Sequence, residues 1–296
     1  MQDKKLRILM IGPHPDDCDF RCGGTAIKYA RAGHDVKIIS MCSGNCGHWT
    51  MTCADLAERR RNEARWAGQV AGILDYEVWD IPDCELVPDL ETRKRLVREI
   101  REFSPDVLFC VRPNDYHPDH RYSGQLVMDA SYLLLVPLFC PDTPAMKRMP
   151  VIMYMYDAFT NPPFDPDVVI AIDEVVEQKI RMWDCHVSQV YEWLPYSEDY
   201  MEGMPPEDDP EGRLEWLHMP RIPRDGTPID PDIVVRRFQG MRGEYRNAAA
   251  AVLFRDKLIE SYGAERASQI RFAEAYESCP YGRRLTAEMR KSLFPY

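Results

Sequence analysis

The chain is poor in the features that would direct it to a membrane, a secretory route or nucleic acid. Near its start stands only a short apolar run, "ILMIG", cut off by Pro13 and acidic residues, so a secretory signal lacks its hydrophobic region and cleavage site. The longest later run, "YLLLVPLFC" (132 to 140), contains a proline and falls well short of the ~20 residues that a membrane helix needs. A soluble, cytoplasmic protein with no membrane partner is expected. Positive charge is in deficit too: a net charge of -11 argues against a partner such as nucleic acid, which calls for a basic face. No CxxC occurs among the ten cysteines, which lie scattered as reduced thiols do. Cys42, Cys46 and Cys53 form one loose cluster, but their spacings, with only His48 nearby, do not match a zinc knuckle. GxGxxG is absent and the second apolar run ends "IISMCSG" without an acid for a ribose, which disfavours dinucleotide binding, although "CGGT" (22 to 25) could approach a phosphate.

What is present is a globular composition, 45% hydrophobic over 296 residues, with a regular alternation of periods. Short apolar runs at 5 to 12, 35 to 42, 76 to 81 and 105 to 112 read as strands. Helical segments at 23 to 32, 54 to 71 and 89 to 103 separate them. Strand, helix, strand, helix implies an α/β fold: a Rossmann-like, doubly wound, mostly parallel sheet with helices on both faces. Another helix begins near 118, strands follow at 150 to 156 and 166 to 172, and a helix over 173 to 189 is capped by Asp173. Residues 1–193 would form the core. The acidic, proline-rich stretch 194–232 reads as a solvated loop, or as a lid or oligomer contact. Residues 233–296 would complete the same domain as a C-terminal extension, helical in composition up to about 278.

In an open α/β sheet, ligands bind beyond the carboxyl ends of the strands where strand order reverses. The first strand ends in "PHPDD" (13 to 17) and the fourth runs through "VRPNDYHPDH" (111 to 120). With the order 3-2-1-4-5 these strands are neighbours, and His14, Asp16 and Asp17 face His117, Asp119 and His120. Two imidazoles and a carboxylate make a catalytic Zn²⁺ site with a position open for water, and the same donors suit Fe²⁺. Taken singly, each packet could be a hydrogen-bonded histidine or a pair of helix-capping acids. Together, at the ends of neighbouring strands, they point to a metal.

These segments resemble the PIG-L/LmbE-like zinc-dependent de-N-acetylases. "PHPDDCDFRCGGT" (13 to 25) and "SPDVLFCVRPNDYHPDH" (104 to 120) are similar to the two metal signatures. "RRNEARWAGQVAGI" (60 to 73) resembles the R-x-x-E helix, "WDIPDCEL" (79 to 86) the substrate-loop acid, "KIRMWDCHVSQ" (179 to 189) the H-x-S-Q helix, and "RFAEAYESC" (271 to 279) the closing segment. The resemblance implies that His14, Asp17 and His120 hold the metal and that Asp16 takes the proton from its water. It implies that His117 stabilises the oxyanion or protonates the departing amine, and that Asp119 orients His117. Arg60 and Asp83 would hold the substrate, although a solvated helix face and an ordinary turn would also explain them. His186 and Gln189 would line or brace the pocket.

Two residues depart from the family pattern: Cys18 stands where an acid is common, and Arg21 where a small residue is. Arg21, pointed inward, would bind an anionic substrate group. The expected reaction is metal-dependent release of acetate from an N-acetylated amino sugar or glycoside. An amidase acting on a thiol-sugar conjugate, or a non-catalytic sugar- or nucleotide-binding protein, is the alternative. The resemblance is also compatible with a homo-oligomer.

Overall fold

Seven strands share one sheet in the order β3-β2-β1-β4-β5-β7-β6, so the reversal of strand order falls between β1 and β4. The computed structural model describes residues 5–197, 201–217 and 244–296. Strands β1 (Arg7–Gly12), β2 (Asp35–Cys42), β3 (Asp75–Ile81), β4 (Val107–Cys110) and β5 (Val151–Met155) pair in parallel, as right-handed crossovers require. Helices α1 (Asp17–Arg31), α2 (Cys53–Ala71), α3 (Leu90–Phe103) and α4 (Pro118–Leu133) make the connections. β1 and β4 are almost wholly buried, which is why they read as continuous apolar runs rather than as alternating ones.

The far side of the sheet departs from the sequence reading. β6 (Val168–Ala171) lies at the edge, and β7 (Ala273–Ser278) inserts between β5 and β6, antiparallel to both. β7 falls within the stretch expected to be helical, so the C-terminal extension completes the sheet as well as adding helices. Its sequence conceals it, because Glu274 and Glu277 interrupt any clean alternation and Glu274 is buried. Glu274 accepts hydrogen bonds from Lys179 Nζ (2.5 Å), Thr25 N (2.7 Å), Thr25 Oγ1 (2.6 Å) and Tyr276 Oη (2.9 Å).

The helix expected over 173 to 189 is broken into a 3₁₀ turn (Asp173–Val175), helix α5 (Val176–Asp184) and a π-helical segment (Ser188–Trp193). Asp173 does not cap it, because its carboxylate accepts from Arg271 N instead (2.9 Å). Helix α1 begins at Asp17, six positions before the expected start, so "CGGT" lies inside it. A Cβ on Gly24 would come within 2.8 Å of Ile172 Cγ2, so this glycine permits close packing of α1 and presents no phosphate-binding turn. Part of the proline-rich stretch is a helix too, Pro210–Leu217, which buries Trp216 and Leu217 against the main core. Residues 218–232 of that stretch lie outside the described residues. No helix among the described residues is long and apolar enough to cross a membrane.

Lys179 and Glu274 are both essentially buried and tie α5 and α1 to β7. Removing one partner strands the other charge in the core. Glu274→Ala is therefore expected to lower unfolding stability by about 3–5 kcal/mol, read as a shifted urea midpoint.

Candidate active site

β1 and α1 are joined by only four residues, Pro13 to Asp16, so the first packet cannot leave the carboxyl end of the sheet. Asp16 stands at the N-cap of α1 with an extended φ of 176°, yet its side chain caps nothing. Its carboxylate instead meets Arg60 Nη2 at 3.1 Å. Capping therefore does not account for this acid. In the second packet Pro118 opens α4 and His117 is the N-cap, with Nδ1 accepting from Asp119 N (3.2 Å).

Three imidazoles converge: His14 lies 4.9 Å from His117 and 5.3 Å from His120, and His117 lies 5.0 Å from His120, between ring centroids. Asp17 Oδ2 sits 3.4 Å from both His14 Nδ1 and His120 Nε2. His14, Asp17 and His120 together form one group whose ligand atoms all lie within 4.8 Å of one another. A second group shares His14 and adds Asp83, His117 and Asp119. No cysteine belongs to either group, so the Cys42, Cys46 and Cys53 cluster is not among the metal candidates of the described residues.

The hydrogen bonds differ between the groups. The Asp119 carboxylate already accepts from Cys84 N (2.7 Å), Leu86 N (3.3 Å) and His14 Nε2 (3.1 Å). Asp115 accepts from His120 Nδ1 at 2.9 Å. Each imidazole of the first group is thus backed by a carboxylate on one nitrogen and faces Asp17 with the other, as metal-bound histidines do. The amides of the 84–86 turn draw the Asp119 carboxylate onto His14, and its backbone N–H donates to His117 Nδ1. Cys84, with φ 68°, gives that turn the left-handed bend that aims its amide inward.

The electrostatics ask for a cation. Burial alone would lower His14, yet hydrogen bonds to Asp119, Asp17 and Asp83 hold it well above its ordinary value. Burial pushes Asp17 up, but His120, His14 and Arg21 outweigh it and keep the carboxyl well below its usual range. Asp16 is raised by burial against the pull of Arg60, and His117 is lowered by burial and by the charges of His14 and His120. A buried set of acids and imidazoles, with two of the imidazoles carboxylate-backed, fits a divalent ion.

The residues expected to contact substrate each have partners within the protein. Arg60 is not a solvated helix residue: it is buried, and besides Asp16 it donates to Gly44 O (2.9 Å). Arg21 points inward as expected and lies between Asp17 (3.5 Å) and Asp115 (3.6 Å), and it donates to Tyr156 O. Asp83 is more than a turn residue, with Oδ1 3.0 Å from His14 Nε2. His186 is fully buried on Asp19 (2.8 Å), and Gln189 donates to Gly47 O (3.3 Å), so both brace the pocket wall. Cys18 is a core residue, and the buried acid that its position lacks is supplied one residue later by Asp19. Ser188 donates through N (2.9 Å) and Oγ (2.6 Å) to Glu63, which joins the R-x-x-E helix to the H-x-S-Q segment.

The GlcNAc-PI de-N-acetylase (PIG-L) family model matches residues 9–131, which hold both packets. The diacetylchitobiose deacetylase of Thermococcus kodakarensis is 31% identical, over 64% of this chain and 74% of its own. The chain belongs to the PIG-L/LmbE-like family. The relatives of this PIG-L protein are chemically mixed, since a 4-oxalmesaconate hydratase from Pseudomonas putida is 24% identical over 67% of this chain and 79% of its own. The N,N'-diacetylchitobiose deacetylase of Pyrococcus horikoshii, 21% identical, shares the PIG-L fold at a TM-score of 0.64 over 93% of this chain and 84% of the other.

Asp115 is the residue that sequence reasoning passed over. Its only signal is an acid two residues before His117, which becomes legible once α4 turns His120 back towards it. Asp115→Asn is expected to weaken metal binding by about 10–100-fold, measured by competition with a chromogenic chelator.

Proposed function

We propose that this site removes the acetyl group from an N-acetylated amino sugar, with His14, Asp17 and His120 as the metal ligands. Zn²⁺ suits the donor set and Fe²⁺ suits it as well. A bound divalent ion supplies polarisation of the amide carbonyl and a more acidic water. The protein's own groups divide the remaining work. Asp16 accepts the proton of the attacking water: burial raises its proton affinity, and Arg60 fixes the carboxylate. His117, held at the N-cap of α4 across from His14, supports the tetrahedral oxyanion, and the proton taken up by Asp16 passes to the departing amine. Acetate and a free amine leave.

The observation that carries this reading is the Asp16 carboxylate, free of any capping bond, beside Asp17 and the carboxylate-backed His14 and His120. A neutral substrate is favoured over a dicarboxylate because Arg21 and Arg60 are each already paired with acids of the protein. Asp83, beside His14 in the pocket, is the acid placed to accept sugar hydroxyls.

With N-acetylglucosamine and its glycosides, acetate release is expected to stop on treatment with a strong chelator and to return when Zn²⁺ or Fe²⁺ is restored. Hydration of an unsaturated dicarboxylate without acetate release would overturn the reading. Asp16→Asn should keep stoichiometric metal and lose about 10²–10⁴-fold in turnover. Full activity in that variant would remove Asp16 from the role.

A further inference from the structure

Strand order sorts the rim of the pocket into two sides. The metal group His14, Asp17 and His120 follows β1 and β4, near the middle of the sheet. On one side stand the loops after β2 and β3, and they bring polar groups: Asn45, whose Oδ1 accepts from Asp83 N (2.8 Å), and the Asp83 carboxylate itself. On the other side stand the segment after β4 and the loop after β5, and there the rim is aromatic. The Tyr116 ring lies 6.1 Å from that of His117, 6.4 Å from that of His120 and 6.4 Å from that of the half-buried Phe159. None of these neighbours is parallel to it, the interplanar angles being 80°, 46° and 59°. Tyr116 is 80% exposed, so these rings leave most of it open.

The aromatic side is anchored as well as the polar one. Arg112, buried just past β4, donates to Asp157 through Nε (2.7 Å) and Nη2 (2.5 Å). The same guanidinium fastens the loop after β5, donating to Phe159 O (3.2 Å), Pro162 O (3.1 Å) and Pro163 O (3.3 Å). Phe159 N donates in turn to Asp157 Oδ1 (2.9 Å), and Tyr116 O accepts from Arg121 Nη1 (2.7 Å). Two rings to which the proposed reaction gives no role are therefore carried on fixed backbone beside His117 and His120.

A secondary amide is planar and trans, so its nitrogen substituent and its acyl chain leave in opposite directions. With the sugar hydroxyls on Asp83, the acyl chain is directed away from the β2 and β3 loops, towards Tyr116 and Phe159. An acetyl group ends in one methyl and offers such rings little, whereas each further methylene laid against them removes apolar surface from water. We propose that Tyr116 and Phe159 form an acyl-binding wall, so that the site takes N-acyl amino sugars carrying short aliphatic chains longer than acetyl as well as acetyl itself. This rests on the de-N-acetylase reading and names the acyl class that the same site accepts.

The test measures kcat/KM on N-acetyl-, N-propionyl- and N-butyrylglucosamine with metal-loaded wild type, Tyr116→Ala, Phe159→Ala and Tyr116→Phe. Wild type is expected to process the butyryl substrate at least as well as the acetyl one. Burial of one methylene corresponds to about fourfold, so the butyryl-to-acetyl ratio should fall about four- to fifteenfold in either alanine variant and hold in Tyr116→Phe. A wild type that rejects the butyryl substrate, a ratio unchanged in both alanine variants, or one lost equally in Tyr116→Phe overturns the wall. In parallel, calorimetry compares the Kd of N-acetyl- and N-butyrylglucosamine for metal-loaded Asp16→Asn, with and without Tyr116→Ala. If wild type turns over none of the three substrates, the de-N-acetylase reading falls, and tighter butyryl binding that depends on Tyr116 upholds the wall separately. Equal Kd values for the two ligands reject the wall.

Discussion

The pairing of β1 with β4 is the constraint on which the site depends. Crossovers leave these two neighbours in opposite directions, so no helix closes over their carboxyl ends, and the chain following each strand must turn there. Four residues separate β1 from α1, and Pro118 starts α4 directly after His117. The sheet thus fixes the distance between packets far apart in sequence. β1 and β4 pair in parallel from Ile8 opposite Val107 to Ile11 opposite Cys110, and their near-complete burial leaves both faces of the pair packed in the core.

Around that junction the protein resolves its charge problem in pairs. Asp16 meets Arg60, Asp17 and Asp115 share Arg21, Asp115 backs His120, and Asp119 backs His14. An unpaired carboxylate buried at this depth would protonate rather than stay charged. The two acids of "PHPDD" are alike in sequence but not in surroundings. Asp17 has several cationic neighbours and is held well below its usual range, whereas the burial of Asp16 is only partly offset by Arg60. Adjacent residues can therefore hold a cation and accept a proton respectively.

Much of this was legible from the residues, and what was not has a common physical cause. Strands β1 to β4, their order, and the group His14, Asp17 and His120 rest on local pattern and one topological rule. β7 was not legible, because its pairing is non-local and Glu274, polar in sequence, is neutralised by Lys179 from a distant helix. The protein partners of Arg60 and Arg21 were not legible, because an arginine declares its charge but not its partner. The same holds for Asp119, whose carboxylate meets the amide of Cys84 at a left-handed bend in a different segment. Residues whose roles depend on their own neighbours in sequence were readable, and residues whose roles depend on a partner elsewhere were not.

The pairing of the inner arginines also determines where selectivity can reside. A pocket whose cations already face its own carboxylates offers no strong long-range attraction to one substrate over another that presents the same reacting amide. Discrimination between substrates that share that amide must then come from further out, from surfaces reached only by larger ones. The loop after β2 belongs to that surround: anchored to Arg60 and Gln189 on one side and to Asp83 on the other, it shares the framework that positions Asp16.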